Sequence, residues 1–519
     1  MFRAIKAAFL RENSVKGASI ILVITLALSN VLGVIRDHFL ASRIPTDRLD
    51  VYFAAFRLPD LIFNVLILGS IAAAFVPVYS KYRKEQGQEA ANRVAQSTIT
   101  VIATIEIIAL IVLFFLMPVL IRYLVVDFSP DKKLETVYLA RWLLLSPVFF
   151  AFSYFLGGIL NSHKRFVAYS IAPLIYNLSI IVAVLIFADR IGVKGVVIGV
   201  LAGAFLHMLI QLPSAIEAGF RPKILFDLKN AGMRRIVKLM VPRSIGLGAN
   251  QILLVSFTVF ASAFPGALAI YNFADNIQTV PSVIFGTSFA TAVFPTLAGL
   301  SLERAEERSE FNRFFSRSLR IILFLLIPSS AFLLVLRAQV IRLILGYGFF
   351  GWGDTKAAAA ALGFFALSVV AQGLIPLLAR TFYAVHNTLI PMLTSIASIV
   401  VSIVFGYLFS RGIIGGAEGV AGLALAFSIG SWLNLLLLAV MILQKVEILW
   451  RDLIIFLLQV VFLSVLSVLA IQVVKELMAG VVDIDRVRFL ALQTGLALLA
   501  GAVAYLGGAY LMRIREIRS

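Results

Sequence analysis

The chain has 519 residues, of which 61% are hydrophobic and only 14% are charged, and its formal net charge is +18. A soluble protein usually carries about a quarter charged residues, so this composition excludes a water-soluble protein and indicates one whose solvent is the lipid bilayer. There is no cysteine, which excludes disulfides, thiolate metal sites and cysteine nucleophiles. The histidines have no metal-ligand spacing, so no metal site is predicted: His38, His163, His207 and His386.

Residues 1–16 are basic and amphipathic, and the apolar run that follows is long enough to span, so no cleaved signal is predicted. Runs of this kind predict an all-α polytopic membrane protein with about fourteen transmembrane helices, at approximately 17–42, 53–80, 94–122, 138–161, 166–188, 195–216, 239–263, 267–300, 318–345, 357–380, 388–410, 419–444, 453–474 and 489–512. Lysine and arginine concentrate at the N-terminus and in every second connection. Because positive loops stay cytoplasmic, we expect both termini inside and explain the basic surplus by topology rather than by nucleic-acid binding.

The first two spans form a hairpin that carries ionised residues: Arg36, Asp37, Arg57 and Asp60, with Asp50 near its mouth. Charges inside membrane segments are costly, and they usually face a water-filled cavity or a partner. Arginine suits phosphate or diphosphate because its planar fork can bond two oxygens at once. The hairpin is therefore predicted to bind an anion; the alternative is a structural Arg–Asp network that locks the two spans together.

An internal repeat is visible in the spacing of prolines. Pro77 ends the second span and Pro295 the eighth, each after a similar run of small and apolar residues. Pro173 opens the fifth span and Pro391 the eleventh, and the same offset separates both pairs. The offset covers six spans, an even number, so the two copies cross the membrane in the same sense.

Such copies form two six-helix lobes related by a pseudo-two-fold axis along the membrane normal, with the site between them. We predict lobes at 1–225 and 226–445, leaving two extra C-terminal helices at 446–519 that form an added surface or groove. The connection at 220–238 is predicted to be an interfacial helix.

The second lobe contributes its own polar groups. Arg243 follows a proline at the start of span seven, and Asp275 with Asn276 lies in span eight. The repeat offset relates Arg57 to Asp275, so a basic position in one lobe matches an acidic one in the other. These residues are predicted to face the first cluster, although Arg243 can instead snorkel to the cytoplasmic headgroups.

Three residues are candidates for ion coupling: Glu106, Asn250 and Asn387. Glu106 lies alone in span three, where it can carry a proton or bind a cation, or simply be a protonated or hydrogen-bonded residue of its own lobe. Asn387 can alternatively cap the next helix. No nucleotide-binding motif occurs, so no cofactor and no enzyme activity are predicted, and a sodium or proton gradient or the membrane potential would drive transport.

Several segments carry a family resemblance: residues 32–37, 53–60 and 74–78, with Asn161, Arg165, Pro173, Asn177, Tyr271, Asp275, Pro281, Pro295, Phe382 and Pro391. In these the chain resembles the MurJ/MviN family of lipid II flippases, within the multidrug/oligosaccharidyl-lipid/polysaccharide exporter superfamily. The resemblance implies transfer of the undecaprenyl-diphosphate-linked peptidoglycan precursor to the outer leaflet of the bacterial cytoplasmic membrane by alternating access. It also implies a lipid-tail groove in the last two helices, contacts with membrane lipids, and work beside the cell wall synthesis machinery.

The match to the family's charged positions is incomplete. Arg36, Asp37, Asp50 and Asp275 match charged sites, and Arg57 matches a basic one. Where the family usually has further charged residues, this chain has Asn30, Phe63, Asn64, Leu68 and Asn276. Three cavity arginines are thus absent.

Other functions stay open at this point. A flippase for another polyprenyl-linked glycan, or a drug exporter of the same superfamily, would share the fold, but drug exporters rarely need paired arginines. A membrane-embedded transferase would need an acidic or His/Asp cluster in a headgroup-level loop, and no loop offers one. The absent arginines leave one further alternative open, a non-transporting partner or regulator of wall assembly.

Overall fold

In a computed structural model, the residues described are 15–68, 74–300, 304–385, 387–415, 417–444, 446–447, 449–479, 487–514 and 516. Within these ranges the regular structure is helical throughout, and no strand occurs. The expectation of an all-α fold is confirmed. The chain divides into two compact units, Met1–Ala269 and Ile270–Ser519; the lobe boundaries set from the repeat stay a prediction.

Among its described residues, the first unit contains nine α-helices, one π-helix and the start of a tenth α-helix. They are α1 Val15–Arg43, α2 Thr46–Phe63, π1 Asn64–Leu68, α3 Val76–Leu124, α4 Pro130–Leu143, α5 Leu145–Ser162, α6 Phe166–Ile191, α7 Val193–Leu209, α8 Leu212–Glu217, α9 Ala231–Ala261 and α10 Ala267–Pro281. Local signals set several ends. The Asn230 side chain accepts the Met233 N–H at 3.0 Å to start α9, and Gly87, with φ of +85°, kinks α3. Phe75, Tyr79 and Phe155 lie in the hydrophobic core of the first unit.

The second unit continues with a second π-helix and a further series of α-helices. They are π2 Ser282–Thr287, α11 Ser288–Ala298, α12 Ala305–Leu345, α13 Trp352–Ala366, α14 Val369–Ala384, α15 Leu389–Ser410, α16 Gly419–Leu443, α17 Trp450–Ala479 and α18 Val487–Leu511. The Tyr505 hydroxyl donates to the Phe324 carbonyl at 2.7 Å, which joins α18 to α12. Gly286 and Gly373 let π2 and α14 approach closely, since a Cβ on Gly286 would lie 2.3 Å from the Gly373 Cα.

Eleven helices of the described residues are long and apolar enough to cross a membrane, or up to twelve if the bent α13–α14 pair is one span. The predicted fourteen therefore stay a prediction. The predicted second span is not one continuous α-helix, because α2 ends in π1. The predicted seventh span falls on α9, whose apolar part, Gly248–Ala261, is short. Large apolar side chains such as Phe115 and Val503 are 71% and 70% exposed. Only lipid can cover so much apolar surface favourably, and the chain is a multi-pass membrane protein.

The two π-helices provide structural support for the internal repeat. π1 begins at Asn64 and π2 at Ser282, and the offset that relates the repeated prolines also relates these two residues. Each π-helix directly follows a helix that carries charged or amide side chains, α2 in one unit and α10 in the other. Single π turns inside helices occur frequently at functional sites.

The expectation of an interfacial helix at 220–238 is wrong for its first half. Residues 220–227 have no regular structure, and α9 begins only at Ala231. The backbone there bonds to side chains of α3 instead: Gln96 donates to the Arg221 carbonyl at 2.7 Å, Ser97 donates to the Asp227 carbonyl at 2.8 Å, and the Leu225 N–H donates to Thr100. These bonds satisfy backbone groups that a helix would otherwise satisfy internally.

Candidate functional site

Arg36 lies on α1 and points its guanidinium at two acceptors within the first unit. Its Nε and Nη2 donate to Asp37 Oδ1 at 3.0 and 2.8 Å, and its Nη1 donates to Asn177 Oδ1 on α6 at 3.1 Å. Asn177 is itself held by the Pro173 carbonyl and by Ser29. The Arg36 side chain is 18% exposed and that of Asp37 only 2%, so this arginine is fixed in orientation yet still accessible.

Arg57 lies on α2 and turns toward α9. Its Nε donates to the Thr258 hydroxyl at 2.9 Å, and that hydroxyl donates to the Leu254 carbonyl. Asp60, one turn further along α2, interacts electrostatically with Arg57. Both charged residues are half-buried, as expected for groups that line an interior opening.

A tyrosine connects the two arginine sites. Tyr52 interacts electrostatically with Arg36, Asp37 and Asp60, and Asp60 in turn interacts with Arg57. The charged residues predicted from the hairpin therefore lie near one another, with Tyr52 close to Arg36, Asp37 and Asp60. Tyr52, Asn177 and Thr258 were not predicted as site residues, although Asn177 is among the residues that carry the family resemblance.

Asp50 differs from the other acidic residues of the hairpin. It is 0% exposed, and its two carboxylate oxygens accept the Gly266 and Ala269 N–H groups at 2.6 and 3.1 Å. Gly266 has a φ of +78°, which positions its N–H just ahead of α10. Asp50 thus fixes α2 to the start of α10, and its oxygens are occupied by backbone rather than directed at a ligand.

Aromatic rings from four helices converge beside the charged cluster. Phe63, Phe150, Tyr154, Tyr176 and His207 make ring contacts with centroids 5.2–6.5 Å apart. His207 is held by a 2.6 Å contact between its Nδ1 and the Ser153 hydroxyl, which also accepts from Gln211 Nε2 at 2.6 Å. His207 is therefore a helix–helix contact, and no metal-ligand arrangement forms among the described His, Asp and Glu residues.

In the second unit, Asp275 is held by neutral amides. Gln278 Nε2 donates to Asp275 Oδ1 at 2.8 Å, and Gln372 Nε2 on α14 donates to Gln278 Oε1 at 2.9 Å and to Ser368. Gln278 is fully buried, while Asp275 and Asn276 are half-buried. Of this series of hydrogen-bonded side chains, only Asp275 was predicted from the sequence as a site residue; Gln278, Gln372 and Ser368 were not.

The candidates for ion coupling have different surroundings. The Asn387 side chain accepts the Ile390 N–H at 3.1 Å, so it caps the start of α15, which is one of the two roles predicted for it. Asn250 is exposed on α9. Glu106 is 0% exposed, and neither of its carboxyl oxygens has a hydrogen-bond partner among the described residues. Arg243 belongs to α9, but its side chain lies outside the described residues.

Comparison with known proteins places this arrangement in a family. The family described as "Lipid II flippase MurJ" matches residues 46–486 of the chain. The chain belongs to the lipid II flippase MurJ family. Relatives include a probable lipid II flippase MurJ of Rickettsia prowazekii, 27% identical over 81% of this chain and 82% of that protein. Another is the lipid II flippase MurJ of Burkholderia cenocepacia, 26% identical over 79% and 80% of the respective chains.

Solved structures agree on the fold. The chain resembles a lipid II flippase MurJ in an inward closed conformation with a TM-score of 0.79 at 22% identity, covering 95% of this chain and 98% of that one. It resembles an inward-facing MATE family transporter with a TM-score of 0.65 at 15% identity, covering 82% and 97%. The family resemblance found in the sequence is confirmed. The MurJ family is one of transporters rather than enzymes, and the chain is a multi-pass protein of the inner membrane.

Proposed function

We propose that this protein flips lipid II, the undecaprenyl-diphosphate-linked peptidoglycan precursor, from the inner to the outer leaflet of the cytoplasmic membrane for cell wall synthesis. The observation that carries the proposal is the accessible Arg36 guanidinium, held by Asp37 and Asn177 inside a membrane-embedded unit. Membership of the MurJ family supports the identity of the lipid.

Arg36 retains donors for a phosphate. A guanidinium has five N–H donors, and three contacts with Asp37 and Asn177 occupy three of them. The remaining two can meet the oxygens of a diphosphate, and charge-assisted bonds of this kind are the stronger class of hydrogen bond. Asp37 keeps the arginine oriented and lowers the local positive charge, which favours release of the anion after transfer.

The movement we propose is alternating access between two lobes, with both termini cytoplasmic and the lipid tail held by α17 and α18. Positive loops on the cytoplasmic side support that orientation, and the repeated π-helices support two equivalent lobes. Released precursor would pass to the wall synthesis machinery in the outer leaflet.

We further propose that the coupling ion is a proton carried by Glu106. A hard metal cation needs several oxygen ligands, whereas both Glu106 oxygens lack a hydrogen-bond partner among the described residues. One carboxyl can, however, bind one proton. Transport in proteoliposomes should respond to an imposed pH gradient and lose that response in Glu106→Gln; a sodium gradient that drives transport equally in both proteins would contradict the proton.

Complementation tests the function. The intact chain should rescue a strain conditionally depleted of its lipid II flippase, whereas Arg36→Ala and Arg57→Ala should rescue poorly. Arg43→Ala is a matched control, because Arg43 is an exposed arginine on α1 paired with Asp189. If the intact chain reaches the membrane and fails to rescue, lipid II is the wrong substrate. If both alanine variants rescue fully, the anion site is elsewhere.

A further inference from the structure

The aromatic cluster of the first unit has features of a binding surface as well as of a core. We call Phe63, Phe150, Tyr154, Tyr176 and His207 the aromatic platform. Its rings come from α2, α5, α6 and α7, so the platform lies where these four helices meet. Yet Phe63, Phe150, Tyr154 and Tyr176 are all only half-buried. Rings that converge from four helices and remain partly uncovered leave aromatic surface that a ligand can contact.

The two tyrosine hydroxyls of the platform support this placement. Among the described residues, those of Tyr154 and Tyr176 make no hydrogen bond, and neither is a fully enclosed atom without a partner. A buried tyrosine hydroxyl usually finds a partner. Both hydroxyls are therefore accessible donors and acceptors beside apolar ring faces, a combination that suits a ligand with hydroxyl groups and apolar patches.

The platform directly borders the arginine site. Tyr176 precedes Asn177, whose side chain accepts from Arg36, and Tyr176 interacts electrostatically with Arg36, Asp60 and Tyr154. A diphosphate bound at Arg36 would thus have the group attached to it next to Tyr176 and Tyr154.

We infer that the aromatic platform binds the sugar rings of the lipid-linked substrate, next to the diphosphate at Arg36. The inference rests on the proposed function and names the part of the substrate that this surface takes. Pyranose rings present apolar C–H faces and a rim of hydroxyls, which match the ring faces and the free hydroxyls of Tyr154 and Tyr176. The Phe63 ring centroid lies 5.4 Å from that of Phe150 and 5.3 Å from that of Tyr154, so Phe63 extends the apolar surface of the platform.

The aromatic platform gives this chain a balance of apolar and charged contacts. Its aromatic rings supply apolar contacts for a neutral part of the headgroup, beside the charge that Arg36 supplies for the diphosphate. His207 completes the platform as a positioning residue: it stacks on Tyr154 at 6.0 Å with an interplanar angle of 21°, and Ser153 fixes its ring.

Binding measurements with three lipids test the inference on the purified full chain in nanodiscs. The lipids are lipid II, lipid II without its stem peptide, and undecaprenyl diphosphate. Loss of one aromatic contact is a modest change, so Tyr154→Leu and Phe63→Leu should each weaken binding of both sugar-bearing lipids by about 2- to 12-fold. Binding of undecaprenyl diphosphate should not change.

Controls separate the roles of the groups. Tyr154→Phe keeps the ring and should retain most of the affinity for the sugar-bearing lipids. Phe115→Leu removes a lipid-facing ring and should leave binding of all three lipids unchanged. Arg36→Ala should weaken binding of all three lipids. The inference is overturned if Tyr154→Leu and Phe63→Leu leave the binding of sugar-bearing lipids unchanged or weaken the binding of all three lipids equally. It is also overturned if these variants weaken the binding of the peptide-bearing lipid alone. A wild-type protein that binds none of the lipids overturns the proposed function itself.

Discussion

The two units hold their intramembrane polar groups in different ways. In the first unit, charges face charges: Arg36 bonds to Asp37, and Arg57 interacts with Asp60. In the second unit, one carboxylate, Asp275, is oriented by a relay of neutral side chains that runs through Gln278 and Gln372. Both arrangements adjoin a π-helix at equivalent positions of the repeat.

That difference assigns different tasks to the two units. A mobile anion needs a cationic group that is oriented but not neutralised completely, and the first unit supplies it. An amide-held carboxylate has a fixed direction, which suits hydrogen bonding to donors such as hydroxyl or amide groups. The repeat offset thus relates a basic residue, Arg57, to an acidic one, Asp275.

The largest effect is expected from Asp50→Ala, which tests whether the acidic residues of the hairpin divide into structural and substrate-facing groups. Removal of the carboxylate leaves the Gly266 and Ala269 N–H groups without their acceptor, at about 1–3 kcal/mol for each buried donor. We expect a loss of about 2–6 kcal/mol in the free energy of unfolding, measured by unfolding of the purified protein in detergent.

Asp47→Ala is the matched control for that change, because Asp47 lies on the same helix with its side chain 49% exposed beside Lys132. Among the described residues, removal of Asp47 leaves no buried backbone N–H group without its acceptor, and the side chain of the partner Lys132 is 15% exposed, so this variant should lose less stability than Asp50→Ala. Equal losses in the two variants would show that Asp50 is not a special support of α10.

A smaller effect is expected from Gln278→Leu, which removes the donor that orients Asp275. Losing one hydrogen bond to a charged group corresponds to about 1.5–3 kcal/mol, or about 10- to 100-fold in transport rate. Gln372 is one hydrogen bond further from Asp275, so Gln372→Leu should lower the transport rate less than Gln278→Leu does. Gln472→Leu on α17, whose side chain is exposed beside Glu476, should leave the rate unchanged; a rate equal to wild type in Gln278→Leu would remove Asp275 from the transport site.

The smallest effect concerns His163, between α5 and α6 at the edge of the first unit. Burial, with Arg83 and Arg165 nearby, lowers the pKa of His163 from 6.5 to about 4. The folded protein therefore binds fewer protons than the unfolded chain between these values, so its contribution to stability is present above pH 6.5 and is lost as the pH falls toward 4.

His163→Gln should consequently reduce the drop in melting temperature between pH 7 and pH 5, measured beside the wild type in the same detergent. An identical acid-induced drop in both proteins would show that His163 titrates normally.

Charge and spacing in the sequence predicted much of this molecule, for identifiable reasons. Arg36, Arg57 and Glu106 were recognisable because an ionised residue in an apolar run is costly wherever it points. Asn177, Thr258 and the aromatic platform were not predicted, since their importance depends on which helices pack together. The role of Asp50 was missed for the same reason: its partners, the N–H groups that precede and begin α10, lie more than two hundred residues further along the chain.

The most direct measurement is the rate at which fluorescent lipid II crosses the bilayer of proteoliposomes that contain the wild type, Arg36→Ala, Arg36→Lys or Arg43→Ala. We predict fast transfer by the wild type and by Arg43→Ala, a loss of about 10- to 100-fold in Arg36→Ala, and partial activity in Arg36→Lys, which keeps the charge but not the fork. Transfer by Arg36→Ala at the wild-type rate, with equal protein in the vesicles, would contradict the assignment of the diphosphate site to the first unit.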